Sequence, residues 1–297
     1  MKLGHIYVFL LLMWGLASSC IGEDYSDCNN RYVVNLSYLG DSRKEIFPEK
    51  INKVNMYVFD KENACIYQTG LTEDEVRDQR VLLPPLDEGD YDIVFLGNAH
   101  HTAVNGLSDC TGFEDVVFGA DDFWKGNVVS GNDSLYLARV QQTILPFSSQ
   151  RGFSYNTAYF SASHYDIIVE VVGVPTSPKI MLTGVSPYTD FNNKAAEDVE
   201  TDYVLETVHD GVSTVTSKCN ILRHLDHENV YLKVIGADGA ELASVNFHEF
   251  LLKNSSQIDC SKNEVQIPFK IEFKSLSDVV VTLPDWWVVP VQPDFGS

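Results

Sequence analysis

Short stretches of alternating apolar and polar residues, set apart by turn signals at intervals of about 8 to 12 residues, recur from Arg31 almost to the end of the chain. Few folds accommodate that pattern. In residues 32–39, Tyr32, Val34, Leu36 and Tyr38 share one face while Val33, Asn35 and Ser37 share the other, which predicts a strand with one buried side. Residues 51–60 (INKVNMYVFD) are apolar on both faces, as a strand in the middle of a sandwich sheet requires. Thr72, followed three residues later by Glu75, has capping-box spacing and predicts one or two helical turns within residues 71–79. Pro84 and Pro85 argue against a central strand at that point. The turn DEGD at residues 87–90 feeds a strand over residues 91–96 that closes at Gly97 and Asn98. Residues 113–124 read as a short helix and residues 126–133 as a loop, while residues 141–163, rich in serine and aromatics, read as an irregular crossing.

Strands resume at residue 164. They are expected at 164–173, 180–185, 202–208, 212–222, 230–237, 241–245, 265–273 and 279–283, with helical spacing only in 247–252 (FHEFLL). A chain of 297 residues exceeds the usual single domain of about 100–150 residues. Two β-sandwiches in series therefore follow.

The amino terminus decides where such a chain works. Lys2 precedes an apolar run over residues 6–16, and Ala17, Ser18 and Ser19 lead into Cys20, the pattern of a secretory signal ending in a cysteine. The run is shorter than the roughly 20 residues a spanning helix needs. It resembles a bacterial lipobox, with Leu16 one place earlier than the usual leucine; the resemblance implies cleavage after residue 19 and lipid on Cys20. Glu23 and Asp24 resemble the signal that sends lipoproteins of Bacteroidetes to the outer face of the outer membrane, although a solvated acidic linker reads the same way.

With Lys+Arg 21 against Asp+Glu 42, the formal charge of −21 repels nucleic acid and anionic headgroups, leaving proteins or glycans as partners. Six cysteines become five if Cys20 carries lipid, and no CxxC spacing suggests zinc or redox chemistry. Cys219 and Cys260 are the first pair to test for a disulfide, with connectivity open. His224, Asp226 and His227 lack metal-ligand spacing, His100 and His101 follow a strand end, and Asp121 and Asp122 read as an acidic turn before they read as a calcium site. Trp286 and Trp287 suit either a sugar-stacking platform or a core and rim pair. No GxSxG, Walker or HExxH motif occurs, so no catalytic residue, metal or cofactor is expected.

The lipobox cysteine, an acidic tether with Cys28, the run VxMYVFD at residues 54–60 and LxxGxYxxVxxGN at residues 86–98 together resemble the FimB-type fimbrial anchor subunits, the minor-fimbrium lipoproteins of Bacteroidales that belong to type V pili. The family often has proline where this chain has Asn29. The resemblance implies an all-β fold of two tandem transthyretin-like β-sandwich domains with a few short helices. Residues 1–19 would form the signal peptide, 20–30 the lipidated tether, 31–160 the first domain and 161–297 the second. It implies a structural outer-membrane lipoprotein that anchors a fimbria, limits its length and assembles with shaft or accessory subunits by strand addition. In that scheme the first strand is kept, Arg43 stays uncut, and Trp286, Trp287, Val289 and Val291 belong to a strand offered to a partner. A strand internal to the second domain is the competing reading of those four residues, and a surface protein that binds glycan or host protein through sandwich loops is the competing function.

Overall fold

The computed structural model describes residues 31–146, 152–174, 178–224, 228–275 and 278–287. Strands dominate it, and the described helices are short. In the amino-terminal half, β1 (Arg31–Ser37) lies between β4 (Arg80–Leu82) and β9 (Phe153–Tyr159). That sheet faces a five-stranded one, ordered β10 (Ser161–Ala162), β8 (Tyr136–Ile144), β5 (Gly89–Gly97), β2 (Val54–Phe59) and β3 (Cys65–Gly70). The inward alternate residues of β1 meet Met56, Val58, Ile93 and Phe95 in one buried cluster. In the second sandwich, β15 (Thr207–His209), β16 (Thr214–Leu222), β11 (His164–Val172), β19 (Gln266–Ser275) and β20 (Asp278–Thr282) form one sheet. The other is β14 (Thr201–Leu205), β12 (Lys179–Val185), β17 (Tyr231–Ile235) and β18 (Glu241–Asn246).

A third, small sheet of β13 (Tyr188–Asp190), β7 (Val117–Ala120) and β6 (Thr102–Asn105) covers the outer face of the first five-stranded sheet. Under it Tyr57, Phe59, Val94 and Leu96 pack on Phe113, Phe118 and Phe191. This explains why residues 51–60 are apolar on both faces: β2 is buried from two sides. The halves also exchange residues. Ala120 and Val129 enter the second core, Phe191 and Leu222 enter the third cluster, and a bridge pairs Val129 with Tyr203.

Of the helices, α1 (Phe47–Lys50) follows β1, and α2 (Glu73–Arg77) has the capping box expected from Thr72 and Glu75, with each side chain bonded to the other's backbone N–H. Within residues 113–124 the expected helix shrinks to α3 (Asp121–Lys125), because residues 117–120 are the strand β7. α4 (Phe247–Lys253) starts where Asn246 accepts from the Glu249 N–H.

The irregular crossing expected over residues 141–163 contains β9 and β10. In β9 the aromatic residues Phe153, Tyr155 and Tyr159 are exposed, while Ser154 and Asn156 lie on the opposite, more covered face. Its apolar pattern is therefore inverted relative to a strand with an apolar inner face.

Candidate functional site

The residue pattern that gives β1 an apolar face also sets how firmly the strand is held. Tyr32, Val34, Leu36 and Tyr38 are buried, and β1 pairs with β9 in parallel from Arg31↔Phe153 to Ser37↔Tyr159 and with β4 in antiparallel. Outside the ladders, Leu36 N–H donates to Gln79 O at 2.9 Å, Phe160 N–H to Ser37 O at 2.8 Å, and Leu145 N–H to the Tyr32 hydroxyl at 2.8 Å. A strand held on both edges and one face is an internal element of the fold.

Where β1 ends, Gly40 takes a left-handed φ of 55° and turns the chain onto the second sandwich. The Asp41 carboxylate there accepts from the N–H groups of Asn263 and Glu264, both at 2.8 Å. Glu264 in turn accepts from the Tyr38 hydroxyl and pairs with Lys50. Burial, with the Glu264 carboxylate second, drives the Tyr38 phenol far above its ordinary value, so it stays a donor. From the other side Asn263 Oδ1 accepts from Ala162 N–H, and Arg223 donates to the carbonyls of His164, Lys262 and Asn263 while lying 4.8 Å over the Tyr165 ring. These contacts tie the exit of β1, the junction strand β10 and the loop before β19 into one polar lock. Arg43 and Lys44 are exposed beside it, with Lys44 paired to Glu49 at 3.1 Å.

Glu45 fastens the same turn. Burial pushes its carboxyl up, but hydrogen bonds from the Ser37 hydroxyl and from the N–H groups of Tyr38 and Phe47 outweigh that and hold it below its usual 4.5. Because its folded value is the lower one, its stabilisation is complete above pH 4.5 and is lost as the pH falls through that folded value. The melting temperature of Glu45→Gln should accordingly fall less than that of the wild type between about pH 5 and pH 3. Parallel falls in the two proteins would remove Glu45 from the acid response.

At the carboxy-terminal end, β20 pairs with β19 on one side and, among the described residues, with no strand on the other. The parallel pairing of β1 with β9 recurs here as β11 with β19, from Asp166↔Gln266 to Val172↔Glu272, so β20 fills an edge whose counterpart beyond β9 carries no described strand. Trp286 and Trp287, expected on a partner strand, lie in and just after the turn that follows β20. The Trp286 indole N–H donates to Glu170 at 3.1 Å, and Trp287 N–H bonds Pro284 O at 2.9 Å. The turn forms because Pro284 cannot extend the ladder and Asp285 is drawn to Lys270 at 2.6 Å. Val289 and Val291 lie outside the described residues, as do Cys20, Glu23, Asp24 and Cys28.

The remaining sequence candidates disperse. Cys65, Cys110, Cys219 and Cys260 all carry free thiols in the structure, and Cys219 and Cys260 sit on separate elements. Cys219 sits on β16 against Gly131, where burial pushes its thiol up, whereas Cys260 lies in the loop after α4 beside Tyr165 and Arg223. His100 and His101 present backbone N–H groups to Asp133, Asp121 pairs with Lys125, and Asp122 accepts from Asn127. Among the described residues no group of three or more His, Cys, Asp or Glu is placed to hold a metal, and no helix is long and apolar enough to cross a membrane. His224 lines a cleft of about 670 Å³ with Asn193, Lys194, Glu197, Glu200 and Arg223, while Asp226 and His227 lie outside the described residues. No local pattern marks that cleft, whose lining is drawn from strands and loops far apart in the chain, nor the exposed aromatic face of β9, where Arg80 lies 5.2 Å from the Tyr155 ring centroid.

Comparisons with known proteins concern this whole architecture. Residues 25–291 match the family model described as "Mfa2: Fimbrillin-A associated anchor proteins Mfa1 and Mfa2". No curated protein matches the chain. Among solved structures, the fimbrial anchor protein Mfa2 from Porphyromonas gingivalis is 19% identical, with 86% of this chain and 95% of that one covered and a TM-score of 0.67. A protein described as a candidate adhesin from Bacteroides ovatus is 13% identical, with coverages of 87% and 94% and a TM-score of 0.70. One described as a candidate polysaccharide binding protein from Bacteroides thetaiotaomicron is 12% identical, with coverages of 89% and 99% and a TM-score of 0.67.

Proposed function

The chain belongs to the family of fimbrillin-A associated anchor proteins, which gives it a fimbria-associated role, and from that premise we propose that it is the lipid-held base of a fimbria on the outer membrane. The observation that carries this reading is the placement of β1. A subunit tethered through residues 20–30 transmits load to its fold through β1, and β1 is paired on both edges and locked at its exit to the second sandwich. A cut at Arg43 would leave lipid and fold on different pieces, so the base subunit keeps that bond intact. Shaft or accessory subunits join by strand addition, in which a row of main-chain hydrogen bonds gives affinity and alternate side chains give register. The edge of β20 and the segment after it supply the contact, and a base that engages only one neighbour limits length by starting each fimbria once. A pull-down from envelope extracts with the lipidated chain should recover fimbrial subunits. Their absence would overturn the anchor reading.

Cys20→Ser should yield a soluble or mislocalised protein with an uncut leader, since acyl chains gain about 0.8 kcal/mol per buried methylene. Metabolic labelling with a palmitate analogue reads this, and equal labelling of both proteins would exclude Cys20 as the acceptor. Replacing Glu23 and Asp24 with alanine should leave the lipid in place and abolish cleavage by protease added to intact cells. Unchanged cleavage would reduce the pair to a linker.

The cleft favours a second reading, a surface protein that holds a glycan or a host protein. Its Glu197, Glu200 and Asn193 can accept from sugar hydroxyls and its Lys194 can donate. A glycan-array signal lost on Glu197→Gln with Glu200→Gln would support that reading, and a blank array would remove a glycan as the ligand.

A further inference from the structure

We propose that Cys65 and Cys110 are joined in the exported protein by a disulfide that staples the β2–β3 hairpin to the loop of residues 106–116. The turn between β2 and β3 is closed by Asp60, whose N–H donates to Ala64 O at 3.1 Å, and it places Asn63 at a left-handed φ of 62°. Asn63 and the 110–111 segment then grip each other. The Cys110 thiol lies 3.0 Å from Asn63 O, and the Asn63 side-chain amide donates to Thr111 O at 2.8 Å. Cys65 is two residues beyond Asn63 and stands opposite Phe59 in the ladder. The Phe59 ring packs edge-on against Phe113 at 5.1 Å, three residues past Cys110. Cys110 belongs to the apolar cluster beneath the third sheet and the partly buried Cys65 packs against it, so hairpin, loop and ring contacts meet around the two.

Their chemistry fits a structural link better than a reactive site. As free thiols the two are turned toward backbone carbonyls, Cys65 toward Tyr67 O and Cys110 toward Asn63 O, and no metal-binding group surrounds them among the described residues. Burial first and the neighbouring Cys110 second push the Cys65 thiol up, so the folded protein holds little attacking thiolate. The bond therefore forms before the cluster closes. Each thiol gives up a proton, a Cys65 Sγ–Cys110 Sγ bond replaces the S–S bond of an exported thiol–disulfide oxidoreductase, and that disulfide leaves as a dithiol carrying the two protons and two electrons. The inference takes from the proposed function only that the chain is exported.

Trypsin separates the two cysteines cleanly, into peptides 62–77 and 81–125, each with one cysteine. The full chain, isolated from its envelope without reductant and blocked with iodoacetamide, should give these peptides as one linked species that splits on reduction. Reductant should lower the melting temperature of the wild type by roughly 5–10 °C and leave that of Cys110→Ser unchanged. Either cysteine recovered singly alkylated, or linked to a different cysteine, would overturn the proposal. That result would leave the anchor reading untouched, because a surface-exposed protein with free thiols still binds or fails to bind fimbrial subunits.

Discussion

A chain shortened to begin at Asp41 will show no cooperative thermal transition and no near-ultraviolet circular dichroism. The truncation removes Tyr32, Val34, Leu36 and Tyr38 from the first core, all of them buried. Burial of side chains of this size contributes about 1.5–3 kcal/mol each, so the four together approach the roughly 5–15 kcal/mol by which a whole domain is stable. The backbone loss compounds it. β4 and β9 pair with nothing but β1 in their sheet, so both lose their ladder, and Leu145 N–H loses the Tyr32 hydroxyl. The second sandwich is disturbed as well, since Glu264 loses Tyr38. A synthetic peptide of residues 31–39 added during refolding should restore the transition, because the slot it fills is specified by both neighbours. A shortened chain that melts cooperatively within a few degrees of the full one would show that β1 is dispensable, and with it the argument that the anchor's tether pulls on an integral strand.

The same burial explains why this part of the fold is legible in the sequence. In β1 Tyr32, Val34 and Leu36 face the core while Asn35 and Ser37 share the other face with Val33, and in α2 the Thr72 and Glu75 spacing serves a cap made within one turn. β9 hides because its pattern is reversed: Phe153, Tyr155 and Tyr159 face outward, and Arg80 and the neighbouring aromatic ring hold Tyr155 there. β7 hides because Phe118 owes its burial to Phe191, some seventy residues away, a contact that no local period encodes. Distance also defeats the cysteines. No spacing favours any one pair, and Cys65 and Cys110 are brought near each other only by a turn and a loop on different elements. At the carboxy terminus, the apolar run through Trp286 and Trp287 reads as a strand until Pro284 and the Lys270–Asp285 pair turn the chain.

That turn bears directly on the last prediction, deletion of residues 285–297, which should leave a folded, lipidated protein that no longer retains fimbriae on the cell. The deletion takes from the described fold the exposed Asp285, the half-exposed Trp286 and the partly covered Trp287. It spares every buried residue of the second core, and the last apolar side chains packed on it, Val279, Val281 and Leu283, stay in place. The ion pair of Lys270 with the solvated Asp285 adds little to stability, as exposed pairs generally do. Circular dichroism and the melting temperature should therefore change slightly while fimbriae appear in the medium. An unfolded truncation would mean that residues 285–297 complete the second sandwich, as an internal strand would. A folded truncation that still holds its fimbriae would refute the carboxy-terminal contact and move the search to the edge of β9. There the seven residues of β9, Phe153, Tyr155 and Tyr159 among them, have β1 on one side and no described strand on the other, at the position that β20 occupies next to β19.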